Sequence, residues 1–314
     1  MKIAFITEAF PLVSQTFIIN QVADLKDRGV DVQVFSFKKG DNENLAENFR
    51  KYRMGDLTHY MGMPKGKLSR FVRFAAIAFR LMKKKPIVLF RSLNFKRYGR
   101  NALSLRTVYL ADFFMDRNFD LAHCHFGPVA NDFVLAKEIL GLKQKFITTF
   151  YGYDASRVFK IESKKYYDRI KKECSLFFAM SHDMKNRLIQ NGFDGGKIRV
   201  HPPGVDIGNY KYLERKPGEN INLLSVGRLV EKKGMDDLLR AINVVRQKTD
   251  KTIRCTIVGD GPLKNELLKL RNLLDLNDIV GFRGYMSMEE INDLLPGTHI
   301  YVQPSKTDSR GNME

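Results

Sequence analysis

Cysteine is scarce in this chain: three thiols, at 124, 174 and 255, lie far apart and form no C-x-x-C pair. Their odd number excludes a disulfide framework and fits a reducing, cytoplasmic compartment. Long apolar runs are missing too. The most apolar helical stretch is broken by Arg70, Arg73 and Arg80, so no segment reads as a membrane span. The opening KIAFIT is too short for the apolar core of a signal peptide and reads as a strand. No repeat of 20–50 residues and no low-complexity tract is present. After the first strand there is no G-x-G-x-x-G, which disfavours an ordinary dinucleotide oxidoreductase. No aspartate-rich metal motif and no pair of carboxylates suited to glycoside hydrolysis marks itself. Acidic residues are absent from 65 to 106, a block that holds thirteen Lys or Arg and accounts for most of the +18 net charge. No recognition helix or aromatic sheet motif accompanies that charge, which argues against a nucleic-acid role.

What is present is an alternation. Short apolar strands (KIAFIT, DVQVFSF, LAHCHF, KFITTF, SLFFAM, KIRVH) are interleaved with segments of helical period, the pattern of parallel sheets built from βαβ units. In the first helical segment, SQTFIINQVADLKDR, Ser14 is placed to cap and Gly29 to terminate. A stretch rich in Pro, Gly and charge follows His201. The alternation then restarts with INLLSVG, TIRCTIVG, DIVGF and HIYV, separated by helical segments, one of which opens with the capping box Ser287/Glu290. The expected organisation is α/β, with a doubly wound domain over 1–205, a linker at 206–217 and a second, shorter doubly wound domain over 218–314.

Candidate sites fall at strand ends, where ligands bind in open α/β sheets. The loop Gly227-Arg228-Leu-Val-Glu-Lys232-Lys233-Gly234 lies between a strand and a helix start. Backbone N–H groups there favour an anion, and Arg228 and Lys233 add a planar fork and a point charge. A solvated basic loop is the plainer reading. In LAHCHF, alternation puts His123 and His125 on one side of the strand and Cys124 on the other. A packed pair, a substrate contact in a cleft and, with no third ligand in view, a metal site are all open. TFYGYD holds Tyr151, Gly152 and Asp154, which suit either a capped turn or a binding loop. GDGP (259–262) turns the chain into a helix, with Pro262 expected at its first position.

The series HxH-F, T-F-x-G-x-D, S-x-x-M, GVD, VGR-x4-KG, VGDGP, F-x-G and a strand running into PS…E resembles the retaining glycosyltransferase family 4. The FPLVSQTF loop is similar to the start of that family's exopolysaccharide branch, which includes colanic acid synthesis. The resemblance spans the chain. It implies a GT-B architecture, two Rossmann-like domains with a cleft between them, and transfer of a sugar with retention from a nucleotide-sugar donor, with no metal and no cofactor. Arg228 and Lys233 match the pair that neutralises the leaving diphosphate, beside Gly227. His125 matches the histidine facing the donor sugar, and Glu314 the first Glu of an E-x7-E motif. Phe282, Arg283 and Gly284 match the segment beside the base. Ser14, Tyr151, Gly152 and Asp154 fall on the acceptor side, where Tyr151 stands in place of the more usual His and Gln15 in place of Glu. The second Glu of the motif would be position 322, so the resemblance implies a truncated second domain and little or no transfer by this form. A nucleotide-sugar epimerase and an inactive remnant are the competing functions.

The basic block suggests a partner. In LSRFVRFAAIAFRLMKKK one helical face carries Leu68, Phe71, Val72, Ala75, Phe79 and Met82, and another carries Arg70, Arg73, Arg80 and Lys84. The face either packs on the core or, with residues 65–106 so basic, meets an anionic membrane on its cytoplasmic side, where a lipid-linked or other glycan acceptor would be found.

Overall fold

The first strand, β1 (Lys2–Phe10), feeds two cores. Ile3 and Phe5 pack with Ile18, Ile19 and Val22, whereas Ala4 and Ile6 pack with Phe35, Phe114 and Phe133. A strand buried on both faces belongs inside a parallel sheet. The computed structural model describes residues 1–12, 15–40, 47–204, 212–214 and 218–312. The chain divides into two units, Met1–Gly204 and Val205–Glu314. Most of the stretch read as a linker, 206–217, lies outside the described residues.

In the first unit β1 is followed by α1 (Thr16–Asp27), β2 (Asp31–Lys39), α2 (Glu47–Lys51) and β3 (Thr58–Tyr60). A run of helices comes next: α3 (Lys67–Lys84), α4 (Pro86–Ser92), α5 (Phe95–Tyr98), α6 (Arg100–Leu103) and α7 (Arg106–Phe114). The alternation resumes with β4 (Leu121–His125), α8 (Gly127–Leu140), β5 (Lys145–Phe150), α9 (Arg157–Ile161), α10 (Asp168–Glu173), β6 (Leu176–Ala179), α11 (His182–Gln190) and β7 (Ile198–Val200). The described strands are all parallel, in the order β3-β2-β1-β4-β5-β6-β7. The order reverses between β1 and β4, the switch point at which such sheets open a crevice. Helix α1 buries Ile18, Ile19, Val22 and Ala23. Ser14, read as its cap, lies outside the described residues.

Helix α3 turns the expected apolar face outward. Leu68, Phe71, Val72 and Phe79 are each more than 60% exposed, and Met82 is 47% exposed. Ile77 and Leu81 supply the buried contact instead. On the neighbouring short helices Ile87, Phe90, Phe95 and Leu103 are exposed too. Among the described residues no helix is long and apolar enough to cross a membrane.

The second unit repeats the pattern: β8 (Asn220–Val226), α12 (Met235–Arg246), β9 (Thr252–Val258), α13 (Lys264–Leu273), β10 (Val280–Gly284), α14 (Met288–Leu294) and β11 (Ile300–Tyr301). Its described strands run parallel in the order β10-β9-β8-β11, with the switch between β8 and β11. Its core joins Leu238, Leu239 and Ile242 of α12 to Cys255 and Ile257 of β9 and Leu267 of α13. The Ser287/Glu290 capping box closes the start of α14. Pro262, by contrast, is not the first residue of α13. The helix begins at Lys264, because residues 261–264 first make a turn closed by Lys264 N–H donating to Gly261 O at 3.1 Å.

Candidate functional site

The carboxyl end of β4 carries the first set of candidate residues. His123 lies opposite Phe5 of β1, and His125 opposite Thr149 of β5. The two imidazoles stack with centroids 4.3 Å apart, and the Phe5 ring meets the pair edge-on at 5.1 and 4.7 Å. His125 is wholly buried and His123 almost so. Burial, reinforced by His201, pushes the His123 imidazole down to about 3. Burial and the neighbouring His123 also hold His125 well below the ordinary histidine range. Both rings are therefore neutral at physiological pH.

Each ring has one fixed partner. His123 Nε2 lies 2.7 Å from Thr149 Oγ1, and His125 Nδ1 lies 2.8 Å from the Tyr151 hydroxyl. The other His125 nitrogen, Nε2, has no partner among the described residues. Tyr151 is half-buried, its ring held by Phe17 at 4.5 Å and Phe126 at 4.7 Å. Cys124 points into the opposite core. Among the described residues no group of three His, Cys, Asp or Glu is arranged to hold a metal ion.

Sharp turns end both strands. Phe126 has φ 76°, a left-handed conformation that is costly for an aromatic residue and collects at functional sites. Gly152 has φ 154° and ψ −81°, a conformation that suits glycine. Asp154 fastens the two turns together. Its carboxylate accepts from Tyr151 N–H at 3.0 Å, from Gly152 N–H at 2.9 Å and, across the sheet, from Gly127 N–H at 3.0 Å. It thereby caps the first amide of α8. Burial pushes this carboxyl up, opposed by the amides of Gly152, Gly127 and Tyr151. The residue is inaccessible to solvent, so its influence on a ligand passes through the loop it holds.

In the second unit Gly227, Gly259 and Gly284 bring three strand ends together. A Cβ on Gly259 would lie 2.0 Å from the Gly227 carbonyl oxygen, and Gly259 N–H donates to Gly284 O at 2.7 Å. From Gly227 the chain runs through exposed Arg228 and half-buried Lys233 to Gly234 (φ 64°), where α12 starts. Lys233 passes over Gly227, so that a Cβ there would meet its Cδ at 3.4 Å. The side chain of Phe282 packs on the core, whereas Arg283 is exposed.

The polar segment after β11 fastens onto this loop. Lys306 N–H donates to Lys232 O at 2.9 Å, and Ser309 gives both its N–H and its hydroxyl to Glu231. The Lys306 ammonium reaches Asp236 at 2.7 Å and Asp237 at 2.8 Å in the first turn of α12. Asp308 closes the segment on itself through Asn312. Glu314 lies outside the described residues. Sequence reasoning missed Thr149, Glu231, Asp236 and Lys306. Thr149 had a local signal, since it sits two residues before Tyr151 on one strand face; the other three meet only through pairings about 70 or more positions apart.

These two strand-end sites sit within the spans of two known families. The profile described as Glycosyltransferase Family 4 matches residues 14–209, and that of glycosyl transferases group 1 matches residues 209–312. The chain belongs to glycosyltransferase family 4. Across its whole length it is 30% identical to the amylovoran biosynthesis glycosyltransferase AmsK of Erwinia amylovora, covering 78% of that protein. It is 28% identical, at the same coverage, to the protein of Escherichia coli K12 named as colanic acid biosynthesis glycosyltransferase WcaL. Among solved structures it is similar to Anabaena HepE in complex with UDP and glucose, with a TM-score of 0.62 at 17% identity over 97% of this chain and 74% of that one. Its two sheets are the Rossmann-like sheets of the GT-B fold. Membership of family 4 makes the chain a glycosyltransferase.

Proposed function

We propose that this glycosyltransferase moves a sugar, with retention, from a nucleoside-diphosphate sugar to a glycan, lipid-linked in the membrane, during exopolysaccharide synthesis. One observation carries the donor half. The loop from Gly227 to Gly234 is held on one side by the ends of β8 and β9 and on the other by Pro304–Ser309, with Arg228 and Lys233 at a helix start. Breaking a glycosyl–phosphate bond builds negative charge on the diphosphate, and cations already in place stabilise it without reorganising. On this reading Gly227, Arg228 and Lys233 bind the diphosphate. Phe282, Arg283 and Gly284 lie beside the base, Glu314 binds donor-sugar hydroxyls, and His125 faces the sugar. Ser14, Tyr151 and Gly152 serve the acceptor side, and Asp154 holds the loop that carries the last two. The acceptor hydroxyl attacks carbon 1 of the sugar on the face from which the diphosphate departs. The C–O bond to the diphosphate breaks, and a diphosphate oxygen takes the hydroxyl proton. The names of AmsK and WcaL support exopolysaccharide synthesis, and the UDP and glucose in HepE support the donor class.

The membrane half of the reading rests on α3 and its neighbours. Exposed Phe71, Phe79, Phe90 and Phe95 lie within the basic span 65–106, which suits the anionic cytoplasmic leaflet that would hold the acceptor.

The test is a panel of nucleotide sugars. One of them should raise the melting temperature, because a ligand that binds only the folded state stabilises it. With acceptor present, nucleoside diphosphate should be released and the product should keep the donor's anomeric configuration. Release without acceptor, together with an epimerised sugar, would replace this reading with the epimerase. Absence of both stabilisation and release would overturn it.

A further inference from the structure

We propose that Tyr151 is a positioning residue that fixes the ring tautomer of His125, so that Nε2 carries the proton and donates a hydrogen bond to an oxygen of the bound sugar nucleotide. Only the identity of the ligand rests on the proposed function; the tautomer does not.

The argument starts from the 2.8 Å contact between the Tyr151 hydroxyl and His125 Nδ1. One proton lies between the two atoms. A phenol is a far stronger acid than a neutral imidazole N–H, and an imidazole nitrogen is the better acceptor, so the phenol donates. Nδ1 then holds the lone pair and Nε2 the hydrogen. The phenol is well placed for this. Its ring lies within 15° of the His125 plane and is gripped by Phe17 and Phe126. Thr149, two residues before Tyr151 on the same strand, holds the other imidazole of the stacked pair at 2.7 Å from His123 Nε2.

The far side of the His125 ring is an orphan. His125 is wholly buried, yet its Nε2 has no partner among the described residues. Buried polar groups are ordinarily satisfied, and an unsatisfied one costs free energy that a ligand oxygen removes. A fixed donor at the carboxyl end of β4, beside the sheet's switch point, suits the hydroxyl-rich sugar.

The experiment uses the full chain labelled with 15N-histidine. Long-range 1H–15N spectra distinguish the two tautomers, and His125→Gln assigns the His125 signals. In the wild type His125 should be protonated at Nε2. Tyr151→Phe should give a mixture of tautomers. Fluorotyrosine at 151, a stronger acid of nearly the same shape, should restore the Nε2–H form. Tyr151→Phe should also weaken nucleotide-sugar binding by about tenfold and leave binding of the bare nucleoside diphosphate unchanged. A wild-type His125 protonated at Nδ1, or an unchanged tautomer in Tyr151→Phe, overturns the proposal. A wild type that binds no nucleotide sugar but shows the tautomer shift overturns the proposed ligand and supports the positioning role.

Discussion

Lys306 lies 2.7 Å from Asp236 and 2.8 Å from Asp237, tying the segment after β11 to the first turn of α12. The two carboxylates already suit a helix N-terminus, and on the proposed reading the ammonium between them would keep that turn from repelling a diphosphate. Hydrogen bonding to Asp236 and Asp237 holds Lys306 above the ordinary lysine range. The side chains are partly exposed, so the links should contribute only on the order of 1 kcal/mol to stability. Lys306→Ala should therefore change the melting temperature little. Donor affinity should fall several-fold, and more at low salt than at high salt. Titration of the variant with nucleoside diphosphate at two ionic strengths checks this; equal affinities of variant and wild type would refute it.

On the proposed reading Arg228 and Lys233 would act on the same phosphates in different ways. A guanidinium offers a planar fork, whereas an ammonium offers a point charge. Replacing either by Ala should lower turnover by about 10²-fold or more, because each would stabilise charge that grows in the transition state. Arg228→Lys should recover only part of the loss. Steady-state kinetics near wild type for both alanine variants would remove the diphosphate assignment.

Asp154 makes a stability prediction. Its two carboxylate oxygens accept three backbone N–H groups inside the protein. Asn keeps the shape but exchanges one acceptor for a donor that faces amide hydrogens. Asp154→Asn should cost about 2 kcal/mol, with no change in denaturant slope. A midpoint unchanged in urea would mean that the loop is held by other contacts.

How much of this was legible in the sequence depends on range. The strand ends at His125, Tyr151 and Gly227 could be read locally, because period two and the glycines report strand and turn directly. The capping box of α14 was readable for the same reason. The clasp by Asp154 was half readable: its bonds to Tyr151 and Gly152 are local, whereas the one to Gly127 spans 27 positions. Lys306 had no local signal at all, since its meaning arises from a pairing with Asp236 seventy positions away. Helix α3 shows the opposite limit. Its amphipathic period was clear, yet which face met the core depended on neighbours that periodicity does not describe.

The histidine pair should make stability fall in mild acid. In an unfolded chain each imidazole takes a proton below about pH 6.5. In the folded chain burial lowers His123 to about 3 and moves His125 in the same direction. The unfolded state therefore binds protons first as pH falls, so the stabilisation is complete above pH 6.5 and is lost below it. Between pH 7 and pH 5 His123 should cost about 2 kcal/mol, and His125 should add a loss of the same sign. Urea midpoints across that interval measure the slope, and His123→Gln should make it shallower. A flat profile in the wild type would mean that the rings can be protonated in place.

The outward face of α3 separates two kinds of membrane attraction. Phe71 and Phe79 are 61% and 64% exposed, so replacing both by Ser should leave folding almost untouched. On a vesicle each ring could bury apolar area contributing roughly 2 kcal/mol. The basic residues between 65 and 106 attract an anionic surface independently of those rings, and salt weakens that attraction. The double variant should therefore lose at least tenfold in affinity for anionic vesicles and keep a residual, salt-sensitive binding. Exchanging Lys83, Lys84 and Lys85 for Gln should instead reduce the salt sensitivity, ten of the thirteen basic residues remaining, and leave the apolar contribution intact. Co-sedimentation with vesicles of matched anionic and neutral composition distinguishes these results. Binding that is equal on both compositions, or undiminished in the Phe71→Ser/Phe79→Ser variant, would mean that this face meets something other than a charged bilayer.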